Sequence, residues 1–68
     1  MWYHFIAIGG SAMHNLALDL VKKGNKVTGS DDEIFEPSLS RLKNAGICPE
    51  AWGWFPEKIN KQIDIVIV

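Results

Sequence analysis

Sixty-eight residues make one small domain, which at this size buries only about 60 % of the surface of its unfolded chain. The content, 47 % hydrophobic and 22 % charged, is that of a globular chain and excludes a disordered tail. A formal charge of −1 argues against a nucleic-acid binder, and a single cysteine, Cys48, rules out an intramolecular disulfide or a four-cysteine zinc site.

Taken in chain order, Trp2 to Ile8 is a near-continuous aromatic and β-branched run that ends in Gly9-Gly10, the pattern of a strand covered on both faces in a parallel sheet. Met13, Leu16, Ala17, Leu20 and Val21 then draw one apolar stripe at helical spacing, with Asn15, Asp19, Lys22 and Lys23 turned outward. Ser11 is placed to cap this helix, Lys22 and Lys23 suit the negative end of its dipole, and Gly24 supplies a left-handed stop. Lys26 to Ser30 is a second short strand, which completes a βαβ unit with a right-handed crossover. Pro37 opens a second helix at its first position, Leu39 and Leu42 give it an inward face, and Gly46 ends it. Ile47 to Trp54 reads as a third, weaker strand, Pro56 to Asn60 as a single helical turn, and Ile63 to Val68 as a fourth, buried strand. The fold class expected is α/β: Rossmann-like βαβ units with a parallel sheet in three layers, truncated after the fourth strand. A central strand at the end of the chain leaves its neighbours unbuilt. The expectation is therefore one unit, residues 1–68, within a longer protein, with its last strand open to self-association. Phe5–Ile8 and Ile65–Val68 are too short to cross a bilayer and no secretory leader opens the chain, so the expected setting is cytoplasmic, with no membrane contact.

A phosphate site at a strand-to-helix turn needs close backbone approach, several free N–H groups, and the positive end of a helix dipole. The stretch Ala7-Ile8-Gly9-Gly10-Ser11-Ala12 offers these, although against the dinucleotide pattern G-x-G-x-x-G only the middle glycine, Gly9, matches. Ala7 stands where the tight turn has glycine, and Ala12 where close helix–strand packing has it. Asp31 ends the second strand 22 positions after Gly9, where nucleotide-binding βαβ units place an acid that accepts ribose hydroxyls. Asp32 and Glu33 read as a solvated acidic loop, and the cluster as a whole disfavours a 2′-phosphate.

With these residues placed, His4–Met13 (HFIAIGGSAM) and Val27–Asp31 (VTGSD) resemble the amino-terminal domain of the Mur ligases. The tail Pro49–Ile59 is nearer the branch of that family that recycles cell-wall peptide. The resemblance implies a Rossmann-like domain that holds the UDP part of UDP-N-acetylmuramate in a bacterial, ATP-dependent enzyme of peptidoglycan synthesis that forms an amide bond. It further implies that Gly9, Gly10, Ser11, Ala12 and Met13 surround the diphosphate and that Ser30 and Asp31 face the uridine. The family's ATP loop, its magnesium ligands and its amino-acid site lie beyond residue 68. Residues 1–68 are then expected to carry no cofactor, no metal and no catalytic residue, with ATP and magnesium serving the full-length enzyme.

Other residues suggest chemistry but read more simply. His4 is expected to be a buried or edge histidine with a local hydrogen bond, and His14 a surface histidine. Trp52 and Trp54 alternate, so in a strand they would face one way and pack on a neighbour rather than on a base. The alternative function is the NAD-binding half of a dehydrogenase, which shares the βαβ turn and the acid.

Overall fold

In the computed structural model, which describes residues 1–68, strands and helices alternate along the chain. β1 (Trp2–Ile6) leads into α1 (Ser11–Lys22), followed by β2 (Lys26–Ser30), α2 (Ser38–Asn44), a 3-10 turn (Pro56–Lys58) and β3 (Ile65–Ile67). The three strands form one parallel sheet in the order β2-β1-β3, with Trp2 opposite Lys26, Ile6 opposite Ser30, and His4 opposite both Thr28 and Val66. This is the α/β fold expected, compatible with a truncated Rossmann-like domain, but with three strands instead of four.

The missing strand is Ile47–Trp54, which makes no ladder. Pro49 has no N–H to donate, and Gly53 turns the chain with φ +132°. Its one sheet-like contact is an isolated antiparallel bridge, in which Gly53 N–H donates to the carbonyl of Asp31 at 2.8 Å. Consequently Trp52 and Trp54 share no strand face, and both are about half exposed.

β1 stops at Ile6, two residues before the apolar run ends, because Ala7 adopts φ +65° and swings the backbone out of the ladder. The amides of Ala7 and Ile8 then both donate to the carbonyl of Ser30, at 2.8 and 3.1 Å. Ile8 folds back over Gly29, where a Cβ would lie 2.7 Å from the Ile8 side chain; only glycine leaves that space. Phe5, Ile8, Ala17, Val27, Ile34 and Leu42 form the core, with α1 packed on β2 and α2 on α1. By strand alternation the other face of the sheet carries His4, Ile6, Thr28 and Ser30, and the segment from Trp54 to Ile59 closes over Ile6 and Ser30. The third layer is thus a loop with one 3-10 turn.

Both helices depart from expectation at their starts. Gly10, not Ser11, occupies the cap position of α1, and no side chain bonds the first turn. Leu16 is 42 % exposed while His14 is buried, because α2 covers the flank of α1 that carries His14. Pro37 lies one residue before α2, whose first turn is held by Glu36. The Glu36 carboxylate accepts the Ser40 hydroxyl at 2.6 Å and the Ser40 amide at 2.8 Å, and these bonds hold its pKa below the usual value. The C-terminal stops agree with expectation, Gly24 at φ +89° and Gly46 at φ +75°. Within β3, Ile65 and Val66 remain exposed.

His4 is buried as expected, its Nδ1 2.8 Å from Thr28 Oγ1, which also accepts the Trp2 indole N–H at 2.8 Å. Burial first, and the charge of Lys58 second, hold the His4 pKa below the ordinary histidine value. The unfolded chain therefore binds a proton that the folded chain refuses. The contribution of His4 is complete above the ordinary histidine pKa and is lost as pH falls from there toward the folded value. Thermal melts between pH 7.5 and pH 5 are expected to show falling stability, with a smaller fall in His4→Gln. At Ala7, glycine relieves a left-handed conformation that costs an alanine about 1–2 kcal/mol, so Ala7→Gly is expected to gain about 0.5–1 kcal/mol after the entropy cost of glycine. A urea midpoint that stays put or falls would contradict this.

Candidate functional site

The turn from Ala7 to Met13 joins the C-terminal end of β1 to the N-terminus of α1. His14 N–H is the first amide of α1 with a helical acceptor, the carbonyl of Gly10 at 2.8 Å. The amides of Ser11, Ala12 and Met13 therefore stand free at the positive end of the dipole. Gly10, Ser11 and Ala12 are exposed there, while Met13 is half-buried against the core. Ala12 faces solvent, so it does not serve the close helix–strand packing assigned to its position; Ala17, fully buried, does.

Gly9 is glycine for a reason internal to the fold. A Cβ there would sit 2.7 Å from Ile34 and 2.9 Å from the carboxylate of Asp31, whereas a Cβ on Gly10 would meet nothing closer than 3.6 Å. The Gly9 amide is also engaged, donating to Asp31 Oδ2 at 2.9 Å.

Asp31 is nearly buried, and its other oxygen, Oδ1, accepts the amides of Asp32 at 2.8 Å and Glu33 at 3.5 Å. A carboxylate has about four lone-pair positions, so these three donors leave one, on Oδ2. Asp32 and Glu33 are solvated, as expected of them. Ser30 is buried beside Asp31. It contributes to an apolar cleft of about 290 Å³ whose other walls include Ile6, Trp54 and Phe55.

The structure corrects the reading of His14 as a surface residue. Its Nδ1 lies 3.0 Å from the Gly10 carbonyl and 3.1 Å from Ser38 Oγ, and its Nε2 lies 3.2 Å from Arg41 Nη1. A guanidinium only donates, so Nε2 is the acceptor and the ring proton sits on Nδ1, shared toward Gly10 and Ser38. His14 thus bolts α2 to the first turn of α1 and sets Arg41 beside the glycine turn. Periodicity gave no sign of this, because the serine and arginine that satisfy the ring lie 24 and 27 residues downstream.

A strand, a glycine turn with free amides and a second strand that ends in an anchored acid make a unit compatible with a truncated Rossmann-like domain. Residues 2–51 match the profile described as "Mur ligase family, catalytic domain", and the chain belongs to that family. It is 42 % identical over 65 residues to a UDP-N-acetylmuramate–L-alanine ligase of Prochlorococcus marinus, an alignment covering 96 % of this chain and 12 % of that protein. Ligases with the same name from Streptococcus pneumoniae and Streptococcus pyogenes are 51 % identical over 45 residues, 66 % of this chain and 10 % of theirs. The chain spans about a tenth of the length of these curated relatives. No solved structure matches it. The family is one of ligases, which sets aside the dehydrogenase alternative. No helix is long and apolar enough to cross a membrane.

Asp31 and Asp32 are expected to separate cleanly in stability. Asp31→Ala removes the acceptor of three part-buried amides and is expected to cost about 1.5–3 kcal/mol, while Asp32→Ala stays within about 0.5 kcal/mol. Chemical denaturation of both variants measures the difference, and equal costs would show that the Asp31 bonds contribute nothing net.

Proposed function

We propose that residues 1–68 form the part of a Mur ligase that holds the UDP moiety of a UDP-N-acetylmuramate-type substrate. The observation that carries this reading is the set of three unclaimed amides, Ser11, Ala12 and Met13, at the start of α1, next to an exposed Gly10 where a Cβ would make only ordinary contacts with Ala7 and Met13. The diphosphate lies against these amides, with Gly10 keeping the backbone bare and Gly9 fixing the turn beside it. The uridine runs toward Ser30 and Asp31, where the last lone pair of Asp31 Oδ2 accepts a ribose hydroxyl. The uracil ring enters the cleft between Ile6, Trp54 and Phe55, which is apolar and large enough for one planar ring.

On this reading the unit works within a longer cytoplasmic enzyme of bacterial cell-wall synthesis that uses ATP and magnesium to form an amide bond. The ATP, the metal and the incoming amino acid or peptide bind outside residues 1–68. No group of three or more histidine, cysteine or acidic side chains here is placed to hold a metal ion. The role of this unit is to bind and orient one substrate, and its residues supply no chemical step.

Calorimetric titration with UDP and UDP-N-acetylmuramate tests the proposal. Gly10→Val is the informative variant: its Cβ fits the fold, and its methyl groups project into the space the diphosphate needs. Affinity is expected to fall at least tenfold with the circular dichroism unchanged. Equal affinity in wild type and variant would overturn the placement at the turn. Gly9→Val is unsuitable, since its Cβ strikes Ile34 before any ligand is involved.

A further inference from the structure

α2 reaches the glycine turn through two side chains on one of its faces. Ser38 and Arg41, three residues apart, both meet the buried imidazole of His14, at 3.1 and 3.2 Å. His14 leans toward the N-terminus of α1, as helical side chains do, and its Nδ1 lies 3.0 Å from the Gly10 carbonyl. One imidazole ring therefore separates the Arg41 guanidinium from the backbone of Gly10. Arg41 is itself exposed.

Two features set this cation apart. Its partner in the chain is a neutral ring, and no carboxylate lies within ion-pair distance of it, the one ion pair being Lys23 with Asp19. Glu36, the nearest acid in sequence, has both oxygens engaged by Ser40. One of the five guanidinium N–H donors is used on His14, and the others have no acceptor in the chain. Arg41 is also the only one of the seven lysines and arginines bonded to the first turn of α1. Lys22 and Lys23 close the other end of that helix, Lys26 stacks over Trp2 and Lys58 over Phe55. The other charges at the turn are acidic: Asp31 meets the Gly9 amide, with Asp32 and Glu33 next in the chain. A helix N-terminus supplies roughly half a positive charge, too little to balance a dianion beside these carboxylates.

We propose that Arg41 supplies the countercharge for the substrate's diphosphate at the glycine turn, with His14 as its positioning residue, a role that rests on the UDP reading above. A guanidinium suits the task, because it stays protonated and its paired N–H groups match two phosphate oxygens. His14 holds it as a neutral acceptor, so the guanidinium keeps its full charge for the ligand.

Calorimetric titration with UDP at fixed ionic strength tests this on wild type, Arg41→Gln, Arg41→Lys and Lys43→Gln, with circular dichroism reading the fold of each. Arg41→Gln is expected to weaken UDP binding at least tenfold. Arg41→Lys, which keeps the charge and a donor for His14 but not the fork, is expected to fall between wild type and Arg41→Gln. Lys43→Gln removes the same charge two residues along α2 and is expected to change affinity less than twofold. In nitrogen NMR the His14 Nε2 signal is expected to move in Arg41→Gln and to stay in Lys43→Gln. Equal UDP affinity in wild type and Arg41→Gln would overturn the role of Arg41, and a loss in Gly10→Val alone would leave the UDP reading standing. Equal losses in Arg41→Gln and Lys43→Gln would likewise reduce Arg41 to general electrostatics. An unmoved His14 signal in Arg41→Gln would overturn the positioning role, and no binding of UDP by wild type would overturn the UDP reading and the role of Arg41 together.

Discussion

The carboxylate of Asp31 is the group on which the rest of the candidate site rests. It closes the end of β2 onto the glycine turn through Gly9, stiffens the following loop through Asp32 and Glu33, and its own carbonyl receives Gly53. Three segments distant in sequence are fixed by one residue. A buried carboxylate without such donors would be costly; here three amides meet it. An acid at this position has two compatible roles. It shapes the turn whether or not a ligand is present, and on the function proposed above it keeps one lone pair for a ribose hydroxyl.

The two faces of the sheet have different chemistry, and that difference separates two cavities. Toward the helices lie Phe5, Val27 and Ile8, packed so closely that Gly29 must lack a side chain. Away from them lie Trp2, His4 and Thr28, joined by hydrogen bonds. A polar network on an otherwise apolar sheet is tolerable only when its members satisfy each other, and here no buried side-chain polar atom is left without a partner. The cleft beside Ser30 is walled by aromatic and aliphatic groups, while a groove at the edge of β2 is walled by charges and bare backbone.

The alternation of elements was legible in the residues because period-two and helical patterns, with Gly24 and Gly46 as stops, are local properties. The matched family agrees with what the glycine turn and Val27–Asp31 resemble. What escaped were features set by distant partners. Leu16 and His14 exchange places because α2 arrives on one flank of α1, and the spacing of apolar residues cannot show which polar side chain will find Ser38 and Arg41. The third strand failed for a reason that was in plain view, since Pro49 and Gly53 both oppose a ladder. In the bare sequence Gly9 and Asp31 read as ligand-facing. Their contact with each other becomes visible only once the turn is built, as does the need for glycine at position 29.

The placement of β1 between its two neighbours also governs the order in which the molecule is made. Its partners begin about 24 residues downstream at Lys26 and about 62 downstream at Asp64, whose amide bonds the Trp2 carbonyl at 2.9 Å. A ribosome adds roughly 5–20 residues per second, so the central strand leaves the exit tunnel with both edges bare and waits seconds for the second of them. The βαβ half closes first, across the shorter loop, and β3 docks last against an edge already formed. During that interval the exposed backbone of β1 is a surface any extended chain can join, and its protection comes from the speed with which α1 and β2 fold onto one side of it.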